Sequence, residues 1–176
     1  IMKMMRGEVG TKVDLTIVRK GTPEPFIKTI TRGNIPIKSV DVAYMLNDSV
    51  GYVKVRTFGV NTYDECMRGL KVLNEEGMKR LVIDMRRNEG GILPIAIRMI
   101  NELLPAGRLI LYTQGKASPR MDYNSNGNGR YQNLPLTVLI DEFSASASEI
   151  FAGAIQDNDR GLIIGRRSFG KGLVQE

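Results

Sequence analysis

Between Lys12 and Arg19 the apolar residues Val13, Leu15 and Ile17 fall on alternate positions, the period of a half-buried strand. Lys20-Gly21-Thr22-Pro23 reads as a turn, and Phe26 to Thr31 as a returning strand. Ahead of this hairpin, Ile1 to Met5 reads as the last turn of a helix from a longer chain. It closes at Arg6-Gly7, where a helix C-terminus favours glycine. Residues 1–33 carry too little apolar area to fold alone.

A second region, 34–176, has a different rhythm. Ile35 to Met45 is predicted to be extended and Val50 to Phe58 a strand. Thr62 opens a helix with a predicted capping box to Glu65. Cys66, Leu70 and Leu73 share its apolar face, and Gly77 closes it. Arg80 to Met85 reads as a buried strand, followed by the turn Arg86-Arg87-Asn88-Glu89-Gly90-Gly91. Ile92 to Leu104 is apolar nearly all round, which predicts a buried helix stopping at Pro105. Arg108 to Thr113 is a further predicted strand, and 115–133 a long polar loop rich in glycine and asparagine. Leu136 to Ile140, Ser146 to Asp157 and Gly161 to Ile164 then read as strand, helix and strand. The repeated strand–helix–strand order predicts an α/β layer with parallel strands.

Composition removes several kinds of chemistry. The chain has 176 residues, a net charge of +6 and no histidine. Ser-His-Asp and Cys-His catalysis are therefore excluded, together with the commonest zinc sites. Cys66 is the single cysteine, so neither an internal disulfide nor a cysteine metal cluster can form. No cofactor or metal is expected. The basic residues are scattered and only 6% of residues are aromatic, which argues against a nucleic-acid partner. No stretch is long and apolar enough to span a membrane, and Ile1 to Met5 does not read as a signal peptide.

Three segments carry candidate chemistry. The first, Asp141 to Ile150, links the end of a buried strand to a helix start, where α/β proteins place their sites. Ser146 with Glu149 makes a capping box there, and the free N–H of Ala147 can face a developing oxyanion. Ser146 is then either a helix cap or a nucleophile. The second segment, Gly165 to Lys171, matches Gly-x4-Gly-Lys, most of a phosphate-binding loop. Gly172 stands where that motif needs a hydroxyl, and Gly-Leu-Val-Gln reads as extended rather than helical. In an extended segment Lys171, Leu173 and Gln175 share one face, so Gln175 can orient the Lys171 amine. The alternative for Lys171 is an ordinary surface lysine. In the third, Gly90 and Gly91 let the backbone come close to a ligand; an ordinary strand-to-helix turn is the simpler alternative.

Together these segments resemble the carboxyl-terminal processing proteases, also called tail-specific proteases. Leu81-Val82-Ile83-Asp84-Met85-Arg86-Arg87-Asn88-Glu89-Gly90-Gly91 is similar to the family's strand followed by Arg-Asn-x-Gly-Gly. Ser144 to Ile150 matches its Ser-Ala-Ser-Ala-Ser-Glu-Ile block, and Phe169 to Gln175 its Phe-Gly-Lys-Gly-x-Val-Gln. Ser146 and Lys171 stand 25 residues apart, as the family pattern has them. The resemblance implies an α/β protease core over 34–176 built of parallel-strand β/α units, like the Clp protease and crotonase folds. Residues 1–33 would be the tail of a PDZ domain, contributing a β-hairpin. It further implies a Ser146 nucleophile, a Lys171 general base and Gln175 positioning the lysine. The oxyanion hole would come from Ala147 and either Gly90 or Gly91.

The implied activity is hydrolysis of protein or peptide substrates through their exposed C-termini, in a periplasmic or otherwise extracytoplasmic setting; a homo-oligomer is compatible with it. Glu89 departs from the pattern, since the family usually has proline there, which makes the turn less rigid and more negative. The chain is also expected to lack the core's C-terminal continuation. For Lys171 to accept the Ser146 proton it must be neutral, which burial beside Phe169 and Leu173 would favour. Two competing readings are a catalytically silent relative that only binds peptides or apolar ligands, and a nucleotide-binding domain using 165–171.

Overall fold

The structure, a computed structural model, describes residues 2–34 and 38–171. The chain divides into two units, 1–37 and 38–176. In the first, a short helix α1 (Met2–Met5) precedes strands β1 (Lys12–Ile17) and β2 (Phe26–Thr31), which pair antiparallel. The side chain of Arg32 ties this unit together by donating to the carbonyls of Met4, Met5 and Lys12.

The second unit holds a five-stranded sheet in the order β3-β4-β5-β8-β9. Its members are β3 (Val40–Asn47), β4 (Val50–Val55), β5 (Arg80–Asp84), β8 (Leu136–Ile140) and β9 (Leu162–Gly165). Strand β3 runs antiparallel to β4, and the other neighbours are parallel. Helices α2 (Thr62–Glu75), α3 (Leu93–Asn101) and α4 (Ala147–Asp157) supply the crossovers. Every second residue of β4 is buried, and Val53, Val55, Leu81, Ile83 and Val138 form one core with Leu70, Leu73, Met99, Ile100 and Phe151. Phe58 and Phe151 meet within that core at 6.2 Å between ring centroids, both fully buried. This is the α/β layer with parallel strands that the pattern predicts.

Several expectations change. Helix α2 begins at Thr62, but the Thr62–Glu65 capping box does not form. The Thr62 hydroxyl donates to the Thr57 carbonyl at 3.0 Å and accepts the Gly59 N–H at 2.7 Å. The Glu65 carboxylate instead accepts the N–H groups of Ser39 and Val40, at 2.8 and 3.0 Å. Both residues are buried, and a buried N–H needs an acceptor, which this carboxylate supplies. The helix does end as expected. Gly77 has φ 90°, Met78 N–H bonds to Leu73 O and Gly77 N–H to Asn74 O, which is a Schellman motif.

The predicted helix 92–104 is shorter, spanning Leu93–Asn101, with Leu103 and Leu104 buried in the turn beyond it. The polar segment 115–133 is not all loop: β7 (Met121–Asn124) pairs antiparallel with β6 (Leu109–Thr113), and this hairpin stands apart from the main sheet. The first part of the extended run predicted from Ile35, residues 35–37, lies outside the described residues, and the strand runs Val40–Asn47. Among the described residues no helix is long and apolar enough to cross a membrane, and no group of three or more metal-ligating side chains assembles.

Candidate active site

Three loops leave the C-terminal ends of β5, β8 and β9, and these are the three segments the sequence singles out. Their backbones are bonded together. Ala145 N–H donates to Asn88 O at 3.0 Å, and Phe169 N–H to Ser144 O at 3.0 Å. Asn88 is fully buried and acts as a brace between β4 and these loops. Its side-chain amide donates to Val55 O, its Oδ1 accepts Gly90 N–H at 2.9 Å, and its carbonyl accepts the Ser148 hydroxyl at 2.8 Å.

Ser146 is the N-cap of α4, with φ 55° and ψ −117°. A non-glycine residue with positive φ stores backbone strain of about 1–3 kcal/mol. A sharp, strained strand-to-helix turn of this kind lifts a serine out of an α/β sheet. Small neighbours allow it, since Ala145 and Ala147 are both buried. Gly90 allows it too. A Cβ at Gly90 would stand 2.9 Å from the Ser146 Cβ and 2.7 Å from the Ala145 carbonyl, and its φ of 101° is itself unfavourable for a side chain. Gly91 is equally constrained, with φ 142° and the Phe58 carbonyl where a Cβ would be.

The serines around this turn are not equivalent. Ser144 and Ser148 are fully buried, with their hydroxyls donated to Met85 O and Asn88 O, both at 2.8 Å. Ser146 alone is half-buried.

Glu149 forms the expected capping box with Ser146, accepting its backbone N–H at 2.9 Å on Oε2. The same carboxylate does more than cap. Oε2 also accepts Lys171 N–H at 2.8 Å, and Oε1 accepts the Ser168 hydroxyl and Gly170 N–H at 2.7 and 2.6 Å. Burial alone would raise the Glu149 pKa, but these four donors hold it below the ordinary carboxylate range. One carboxylate thus joins the backbone of Ser146 to that of Lys171. This second role has no signature in the sequence beyond the capping-box spacing.

The structure brings Ser146, Ala147, Gly90, Gly91 and the Lys171 backbone together at one end of the sheet. Lys171 itself is exposed and Phe169 is 68% exposed, so the expected burial of the lysine beside Phe169 is absent among the described residues. Gln175 and Leu173 lie outside the described residues. The incomplete phosphate-loop match also loses its physical basis. The N–H groups of Gly170 and Lys171, which such a loop would offer to phosphate, already face the Glu149 carboxylate.

Beneath the glycine turn, Asp84 is buried and binds the Tyr52 hydroxyl at 2.7 Å, Lys54 Nζ at 3.2 Å and the Arg86 guanidinium at 2.7 Å. Burial would raise its pKa; the donors from Arg86, Tyr52 and Lys54 outweigh this and hold it well below the usual range. Burial, together with the Asp84 hydrogen bond, pushes the Tyr52 phenol up to about 12.

Residues 49–176 match peptidase family S41. The chain belongs to that family. It is 39% identical to a carboxyl-terminal-processing protease of Synechocystis over 97% of its own length and 40% of that relative's. It is 33% identical to a probable CtpA-like serine protease of Staphylococcus haemolyticus, covering 99% of this chain and 35% of that one. Among solved structures, it matches a photosystem II D1 C-terminal processing protease with a TM-score of 0.71 and 32% identity, over 97% of this chain and 47% of the other. A putative S41 protease of Bacteroides fragilis, 20% identical with a TM-score of 0.68 over 94% of this chain and 48% of the other, shares the fold. The chain therefore spans less than half the length of these proteins.

Proposed function

We propose that this chain carries the catalytic core of a serine endopeptidase that uses Ser146 as nucleophile and Lys171 as general base. The observation that carries the reading is the inequality of the three serines: Ser144 and Ser148 are buried and hydrogen-bonded, whereas Ser146 is lifted out on a strained turn. With no histidine in the chain, the base must be another group. Lys171 fits, because Glu149 ties its backbone to that of Ser146.

In the reaction, neutral Lys171 takes the Ser146 hydroxyl proton as Oγ attacks the peptide carbonyl. The departing amine receives that proton from the lysine, and water then hydrolyses the acyl-enzyme by the same steps. The oxyanion is assigned to the N–H groups of Ala147, at the α4 start, and Gly91. Gly91 is chosen over Gly90 because Gly90 N–H already donates to Asn88 Oδ1. Gln175 orients the lysine, as the family resemblance implies.

The likeness to carboxyl-terminal-processing proteases points to protein substrates processed at their carboxyl ends. Residues 1–33 are the remnant of a PDZ domain in this reading, and the whole protein works outside the cytoplasm.

The test uses the full-length protein and two matched peptides, one ending in a free carboxylate and one in an amide. Cleavage should favour the free carboxylate. It should fall about 100-fold or more in both Ser146→Ala and Lys171→Ala, the scale of a lost general base. Wild-type turnover in either variant would overturn the dyad, and equal cleavage of the two peptides would overturn the tail specificity.

A further inference from the structure

The carboxylates of the three loops and of the strand and helix ends beside them are nearly all engaged. Asp84 is held by Tyr52, Lys54 and Arg86. Asp141 accepts the N–H groups of Arg87 and Phe143, at 2.8 and 3.1 Å. Glu142 pairs with Arg166 at 3.0 Å, and Glu149 takes its four donors. Within the three loops Glu89 is the exception: its side chain is exposed, with no ion pair or hydrogen bond among the described residues. The nearby Arg87 guanidinium lies over the Phe143 ring, 5.2 Å from its centroid.

The position of Glu89 is as informative as its lack of a partner. Its backbone is fixed on both sides against the Ser146 turn. Asn88, before it, accepts Ala145 N–H and the Ser148 hydroxyl, and Gly90, after it, packs directly on Ser146. With the oxyanion assigned to the N–H groups of Ala147 and Gly91, a peptide carbonyl bound there lies two residues along the backbone from Glu89, whose side chain is exposed.

We propose that Glu89 is a specificity-determining residue that favours substrates with lysine or arginine close to the scissile bond. The inference rests on Ser146 being the nucleophile. One solvent-exposed carboxylate pairing with one substrate cation predicts a modest preference of about three- to fivefold, weakened by salt.

The experiment uses the full-length protein and internally quenched peptides of one sequence. Lysine, glutamine or glutamate is placed in turn at each of the three positions on either side of the cleaved bond. At one position or more, the wild type should cleave the lysine peptide about three- to fivefold faster in kcat/KM than the glutamine peptide. That ratio should fall to about one in Glu89→Gln, invert in Glu89→Lys, and shrink as salt is raised. Comparing two peptides within one enzyme cancels any effect of the variant on the chemistry itself or on folding. A lysine-to-glutamine ratio unchanged in Glu89→Gln, or no lysine preference at any position, would overturn the proposal and leave the peptidase reading intact. If the wild type cleaves no peptide faster than Ser146→Ala does, the peptidase reading fails and the proposal with it.

Discussion

At the scale of single residues, the Ser146 turn depends on neighbours that must be small or buried. A Cβ at Gly90 would sit 2.9 Å from the Ser146 Cβ on a backbone with φ 101°, so neither partner can give way cheaply. Gly90→Ala is expected to lower stability by about 2–3 kcal/mol, combining backbone strain with overpacking, and to slow turnover by shifting the serine. Urea unfolding and peptide cleavage on the same sample check both. Ser144→Ala should behave differently. It strips the Met85 carbonyl of a buried donor and costs about 1–2 kcal/mol, yet leaves Ser146 in place. Ser144→Ala should therefore unfold at lower urea and still cleave; loss of cleavage in a folded Ser144→Ala protein would contradict the assignment of Ser146.

At the scale of elements, segment 168–171, which bends at Gly170 with φ 92°, is held to the start of α4 by one carboxylate. The sign of its pH effect follows from the direction of the shift. Glu149 in the folded protein titrates below its ordinary value, so its contribution to stability is fully present above that value. It is lost as pH falls through the lowered folded value. Glu149→Gln should thus be less stable than wild type at neutral pH, by about 1–3 kcal/mol for a charged acceptor of several donors. The gap should narrow on acidification below the ordinary glutamate range; a constant gap across that range would contradict the proposed role.

How much of these elements was legible in the sequence depended on where their partners lie. The turn after β5, the strand β8 and the capping box at Ser146 are written in local pattern, and they appear where predicted. Thr62 and Glu65 have the same box spacing as Ser146 and Glu149. There, buried N–H groups at Ser39 and Val40, 26 and 25 residues away, claim the glutamate. Strand β7 was hidden for a related reason: Met121 to Asn124 shows no strong alternation, and only pairing with β6 makes it extended. The clamp from Glu149 to Lys171 spans 22 residues and has no local signature.

At the scale of the molecule, a five-stranded sheet delivers three separate segments of chain to one end, where their backbones bond to one another. Membership of peptidase family S41 rests on residues 49–176, while the whole chain covers 40% of the Synechocystis relative. Activity therefore belongs to a test on the full-length protein. The most direct measurement is reaction with a serine-directed fluorophosphonate, with the modified residue located by peptide mass mapping. The predicted result is a single adduct on Ser146, absent in Ser146→Ala and lost or slowed at least 100-fold in Lys171→Ala. An adduct on Ser144 or Ser148, or labelling of Lys171→Ala at the wild-type rate, would contradict the Ser146–Lys171 dyad.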